Sequence, residues 1–233
     1  MAQTMRTVSQ LWSNAPEIRS ELINDQVATD RRMADASRAI LESWYKDRAE
    51  VVFDKGRGWN TQATLFHYLY PEGKMLVCVR DLREIFASVE RQHRANPVLS
   101  EAQNPLQETT FARADSFFSP QGLIGHPVVG VEDLLRNHYE WVYLVQYETF
   151  VKNPTLVMDR VYAFLGEEPF AHNFENVENK ATDTDALYLN KFPHKGEGKI
   201  EERKTTWQEV VPQDIAGLIM NRYANYNREL GYR

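Results

Sequence analysis

The sequence predicts an α/β protein of three layers built around a parallel sheet. Three short apolar runs carry that reading: residues 51–53, 75–79 and 141–145, each followed by residues that open a helix. The run Met75–Val79 is the most informative of them. It is too short for a helix and rich in β-formers, so it reads as a strand buried on both faces of the sheet. Arg80 stands at its carboxyl end, and Asp81 can cap the helix that follows. In that helix Ile85, Phe86 and Val89 form one apolar stripe, leaving Arg83, Arg91 and Arg94 to solvent. Open α/β sheets bind anions where a strand ends and a helix begins. Arg80 offers a planar charged fork and Ser88, eight residues on, a neutral hydroxyl. Together they suit one phosphate group.

Composition bounds the rest. At 233 residues the chain can bury a substantial core in one large domain, and 42% hydrophobic against 26% charged residues is ordinary for a water-soluble fold. No apolar run is long enough to span a bilayer, and no signal-type segment opens the chain, so a cytoplasmic location without a membrane partner is expected. The single cysteine, Cys78, excludes an internal disulfide and most thiolate metal sites, and no metal is expected. A net charge of −6 argues against a general nucleic-acid surface. An anionic ligand therefore needs a local cationic cluster, and Lys55, Arg57 and Arg80 supply one.

Taken in order, residues 1–48 read as two or three helices on the substrate side. Val8, Leu11 and Trp12 face inward in the first, Pro16 breaks the pattern, and Ile18, Leu22 and Ile23 restart it. Thr29 or Asp30 is placed to cap a longer helix with Met33, Ile40, Leu41 and Trp44 inward. Residues 49–170 form the α/β core. Its first strand, 51–54, runs into Asp54-Lys55-Gly56-Arg57-Gly58-Trp59, a turn whose glycines let backbone approach a ligand. A helix with Leu65, Phe66, Tyr68 and Leu69 inward then leads to the 75–79 strand. Proline and glycine punctuate residues 97–129, which read as an excursion facing the substrate or a plain long loop, with one helix over 106–117. A short helix over 131–138 and a buried strand over 141–145 follow. Asn153 and Pro154 open a further helix that Gly166 stops. Residues 171–233 are an irregular polar segment, with Lys191, His194, Lys195 and Lys199, and a final helix over 212–230 with Ile215, Leu218, Ile219 and Tyr223 inward. The whole reads as a single domain, 1–233.

Two stretches carry a family resemblance. Residues 75–94, with Arg80, the turn Asp81-Leu82-Arg83 and Ser88, resemble the 3′-phosphate-binding motif of sulfotransferases that use 3′-phosphoadenosine 5′-phosphosulfate (PAPS). Residues 147–170, YETFVKNPTLVMDRVYAFLGEEPF, are similar to that family's Tyr-Glu-Asp segment, Pro-initiated helix and Phe-Leu-Gly ending, with Thr149 in place of Asp. The Asp-Lys-x-Arg-Gly-Trp turn resembles bacterial and phage members. The resemblance implies a P-loop-like fold and transfer of a sulfuryl group from PAPS, a co-substrate, to a hydroxyl or amine of a small-molecule or carbohydrate acceptor. It implies Arg80 and Ser88 on the 3′-phosphate, Tyr147 near the adenine and Lys195 with the cofactor. It places Lys55 at the transferring group with Arg57 beside it.

Two departures shape the expectation. Arg57 stands where the cytosolic branch carries a histidine base, and a guanidinium stays protonated. Asp54, a histidine or an N-terminal carboxylate could take that role, although His67 and His93 have helical neighbours that suit structural histidines. The chain also begins inside the helices that follow the family's first strand and phosphosulfate loop. An N-terminally truncated sulfotransferase is therefore the first expectation, with a gap in the sheet and little transfer. A non-catalytic ligand-binding relative is the second. A small-molecule kinase comes third, because no Walker A lysine is present. Homo-oligomerisation stays open.

Overall fold

The computed structural model describes residues 1–47, 51–56, 58–95, 109–178, 198–202 and 206–233. The chain falls into two compact units, Met1–Gly73 and Lys74–Arg233. Of the predicted site residues, Arg57 and Lys195 lie outside the described residues.

The first unit is helical: α1 Ala2–Asn14, α2 Pro16–Asn24, α3 Gln26–Tyr45 and α4 Ala63–Leu69. Pro16 occupies the first turn of α2, where its missing N–H costs nothing. Asp25 caps α3, its Oδ1 accepting from the Ala28 amide at 3.0 Å, so the cap falls before the expected Thr29 or Asp30. Thr29 is instead buried. The buried stripe of α3 is Ala34, Ser37 and Leu41, while Ile40 and Trp44, expected inward, are exposed. Leu11, Ile23 and Tyr68, also expected inward, are exposed. The expected strand at 51–54 does not form among the described residues. Val51, Val52 and Phe53 are exposed, because a run this short becomes a strand only against a partner. Asp54 instead closes a turn, its Oδ2 accepting from the Trp59 indole N–H at 2.7 Å.

The second unit holds the parallel pair. Strand β1, Met75–Val79, pairs in register with β2, Val142–Gln146, from Met75 opposite Val142 to Val79 opposite Gln146. The strands meet directly, with no gap between them. The expectation of burial on both faces is corrected: Met75, Val77 and Val79 are buried, Leu76 is half-buried and Cys78 is exposed, so one face alone is packed. All of β2 is half-buried.

Helix α5, Leu82–Ala95, follows β1 and supplies the packed core with Leu82, Phe86 and Ala87. Helices α6, Thr110–Phe117, and α7, Gly125–Asn137, correct the picture of 97–129 as an excursion for its described part, since Phe117, Phe118, Ile124 and Val128 are buried. The turn between them is so tight that a Cβ on Gly125 would sit 2.2 Å from the Ser119 carbonyl oxygen. Phe86 packs against Phe118 at 5.7 Å between ring centres and Phe118 against Tyr223 at 5.6 Å, with the Tyr223 hydroxyl donating to the Phe118 carbonyl. After β2 come α8, Tyr147–Lys152, and α9, Pro154–Leu165, which Gly166 ends at φ 76°. The final segment is two helices, α10 Gln213–Arg222 and α11 Ala224–Leu230, broken at Tyr223, and Leu218 is exposed.

A buried charge cluster ties α5 to α6. The Glu90 carboxylate, 1% exposed, accepts from Arg113 at 2.7 and 2.8 Å, from Arg94 at 2.9 Å and from Thr110 at 3.0 Å. Burial alone would raise its pKa, but the hydrogen bonds from Arg113 and Arg94 outweigh it and hold the carboxyl below its ordinary 4.5. A carboxyl whose folded pKa is depressed contributes stability above its ordinary range and loses it as pH falls through the folded value. Glu90→Gln should therefore cost about 3–5 kcal/mol in urea unfolding at neutral pH, because it strands Arg113. It should also flatten the fall in Tm on acidification below about pH 5. Equal stability of the variant and the parent chain would overturn this role.

Candidate active site

Because β1 and β2 run parallel and in register, their carboxyl ends lie side by side. The next residues, Arg80 and Tyr147, are brought together: the Arg80 guanidinium carbon sits 4.1 Å from the Tyr147 ring centre. A cation over an aromatic face at this range contributes on the order of 0.5–2 kcal/mol. Arg80 also faces Glu84, one turn into α5, with Nη2 to Oε2 at 3.5 Å. That separation is beyond the 2.7–2.9 Å of a charge-assisted hydrogen bond. Both Arg80 Nε and Glu84 Oε2 are buried with no hydrogen-bond partner among the described residues. Glu84 Oε1 is already engaged, accepting the Trp207 amide at 2.7 Å.

The opening of α5 is fixed from several sides. Asp81 Oδ1 accepts the Arg83 amide at 2.9 Å as an N-terminal cap, and the carboxylate also holds the Arg83 guanidinium at 2.6 Å. Arg83, expected in solvent, is thus buried, and it lies over the Trp207 ring at 5.0 Å. Glu148, next to Tyr147, accepts the Asp81 amide at 3.2 Å and the Tyr232 hydroxyl at 2.9 Å. Ser88 is half-buried on α5, one turn beyond Glu84 on the same face and about 6 Å along the axis from it.

Lys55 belongs to the first unit, where it is exposed in the turn after Asp54. His93 is buried on α5 and His67 half-buried on α4, as suits structural histidines. Among the described residues no cluster of His, Cys, Asp or Glu could hold a metal, and no helix is long and apolar enough to cross a membrane. Sequence reasoning missed Glu84, although its spacing of four from Arg80 was a readable signal. It also missed Glu148, Tyr226 and Tyr232, for which no local pattern exists.

The family model for the sulfotransferase domain matches residues 63–210, more than half of the chain, and the chain belongs to that family. Membership brings with it an α/β fold and sulfuryl transfer as the general activity. The match takes in Arg80, Ser88 and Tyr147 and stops short of Lys55 on one side and the C-terminal tyrosines on the other. No curated protein matches the chain.

The cap at Asp81 is a structural element that can be tested apart from any ligand. Asp81→Ala removes the cap, worth about 1 kcal/mol, and leaves the buried Arg83 guanidinium without its carboxylate. A loss of roughly 2–4 kcal/mol in denaturant unfolding is expected from the two together. A change under about 0.5 kcal/mol, the size of an ordinary surface substitution, would refute the assignment.

Proposed function

We propose that the chain is a PAPS-dependent sulfotransferase, with the tips of β1 and β2 receiving the nucleotide. The observation that carries this reading is the Arg80 guanidinium. It sits over the Tyr147 ring at the mouth of α5, with a buried Nε that has no partner among the described residues. Glu84 meets its charge at 3.5 Å but leaves that Nε without an acceptor among the described residues. A 3′-phosphate meets Arg80 as a fork and reaches Ser88 as a hydroxyl donor, and the amino end of a 14-residue helix adds favourable dipole. Tyr147 offers ring area to the adenine.

Transfer then needs cations around the moving sulfuryl group, whose non-bridging oxygens carry the developing charge. Lys55 and Arg57 take that role, and Lys195 a supporting one at the nucleotide. The bond from sulfur to the donor phosphate oxygen breaks, a bond from sulfur to the acceptor oxygen or nitrogen forms, and the acceptor proton passes to a base. Arg57 is excluded as that base by its pKa. The acceptor class is a small-molecule or carbohydrate hydroxyl or amine.

Calorimetry with adenosine 3′,5′-bisphosphate and with adenosine 5′-monophosphate tests the site. The parent chain should prefer the bisphosphate, and Arg80→Ala should weaken that ligand by about ten- to a hundredfold while leaving the monophosphate unchanged. Equal binding of both nucleotides by the parent chain would remove the 3′-phosphate assignment. In a PAPS transfer assay Lys55→Ala should lower kcat by about 10²–10³ with bisphosphate affinity intact. Unchanged turnover would take Lys55 out of the reaction.

A further inference from the structure

The Arg80 backbone is held by a side chain 146 residues away. The Tyr226 hydroxyl accepts the Arg80 amide at 3.2 Å and donates to the Arg80 carbonyl at 2.8 Å. In a strand, the N–H and C=O of one residue point to the same side and alternate along the chain. The Met75 amide points toward the second strand, bonding the Trp141 carbonyl at 2.9 Å. By alternation Arg80 presents both backbone groups to the edge opposite β2, which has no strand partner among the described residues. The Tyr226 hydroxyl therefore supplies what a further strand would supply there, at the one residue that carries the guanidinium.

Tyr226 is built for this and for nothing at the surface. It is 2% exposed, and its ring stacks on Tyr232 at 6.1 Å and 19°. Burial raises its pKa far above the ordinary tyrosine value, so the hydroxyl keeps the proton that it donates. Tyr232 continues the tie. Its hydroxyl bonds Glu148, which accepts the Asp81 amide, and Gln146 at the tip of β2 donates to the Leu230 carbonyl at 3.0 Å. The segment 224–232 thus touches both strand tips. The residues matched by the family model end at 210, before this segment begins.

We propose that Tyr226, supported by Tyr232 through Glu148, is a positioning residue that sets the Arg80 backbone so that its guanidinium meets the nucleotide phosphate. The inference rests on Arg80 being the phosphate ligand. Tyr226 touches no reacting atom; it acts through Arg80. Fixing a residue before binding removes the ordering cost from the binding step, and a hydroxyl lost here lets the strand tip move.

The test is a double-mutant cycle on adenosine 3′,5′-bisphosphate affinity with Tyr226→Phe, which keeps the ring, and Arg80→Ala. Tyr226→Phe alone should weaken binding about tenfold and should have almost no effect in the Arg80→Ala background. Tyr232→Phe serves as a second, milder variant, with about threefold loss and the same dependence on Arg80. Equal losses with and without Arg80, or no loss in folded Tyr226→Phe and Tyr232→Phe proteins, would overturn the positioning role. Should Tyr226→Phe fail to fold, the Tyr232→Phe arm of the cycle decides alone. Failure of the underlying reading looks different: Arg80→Ala by itself would leave bisphosphate affinity unchanged.

Discussion

The register of one parallel strand pair governs this site. Val79 lies opposite Gln146, so whatever follows each strand arrives at the same edge of the sheet. Slip the pairing by one residue and every side chain changes face. Arg80 would then no longer meet Tyr147. The hydrophobic pattern enforces the register on the β1 side, where Met75, Val77 and Val79 are buried and Leu76 and Cys78 are not. At the tips the register is reinforced by polar ties: Asp81 to Glu148 across the pair, and Gln146 to Leu230 outside it.

Around that edge, α5 acts as the anchor for distant chain. Arg91 donates to the Thr206 carbonyl, Arg94 to the Val210 carbonyl at 2.9 Å, and Glu84 accepts the Trp207 amide between them. The helix therefore grips residues 206–210 from its exposed side, while Glu90 grips α6 from its buried side. Those ties leave its first turn with little freedom. The proposed nucleotide would thus meet a helix end already fixed by folding, which spares it the entropy of ordering those groups.

Local patterns made some of this readable and long-range ones did not. Met75–Val79 announces itself because five apolar residues, two of them valines, between a lysine and an arginine admit few other states. Helix α9 is bounded by Pro154 and Gly166, residues whose conformational limits act alone. Residues 51–53 looked alike by composition, yet strand formation there depends on a partner that the run itself does not contain. Ile40 and Trp44 show the same limit on a helix: their side of α3 is decided by what packs against it, not by their hydrophobicity. At the site, Arg80 and Tyr147 were each readable as chemistry, but their stacking comes from pairing across 67 residues of separation, the same span as Asp81 to Glu148. Tyr226 sits in an unremarkable amphipathic stretch, and nothing near it names Arg80.

What distinguishes Arg80 from its neighbours is how little its charge is satisfied. Arg83 and Arg113 each bind a carboxylate through two nitrogens, and Arg94 bonds both Glu90 and a carbonyl. For Arg83 and Arg113, which are buried, removing the carboxylate would leave a cation exposed to the cost of desolvation. The Arg80 side chain makes no hydrogen bond among the described residues, and its nearest carboxylate stands 3.5 Å off with one oxygen committed to Trp207. An arginine side chain only 18% exposed in that state is costly for folding alone, since it is largely desolvated without full compensation. The stacking on Tyr147 and the charge of Glu84 offset part of that cost and leave the fork itself open. On the proposed reading the missing hydrogen bonds come from a ligand, whose bonds to the buried Nε would displace no protein hydrogen bond there.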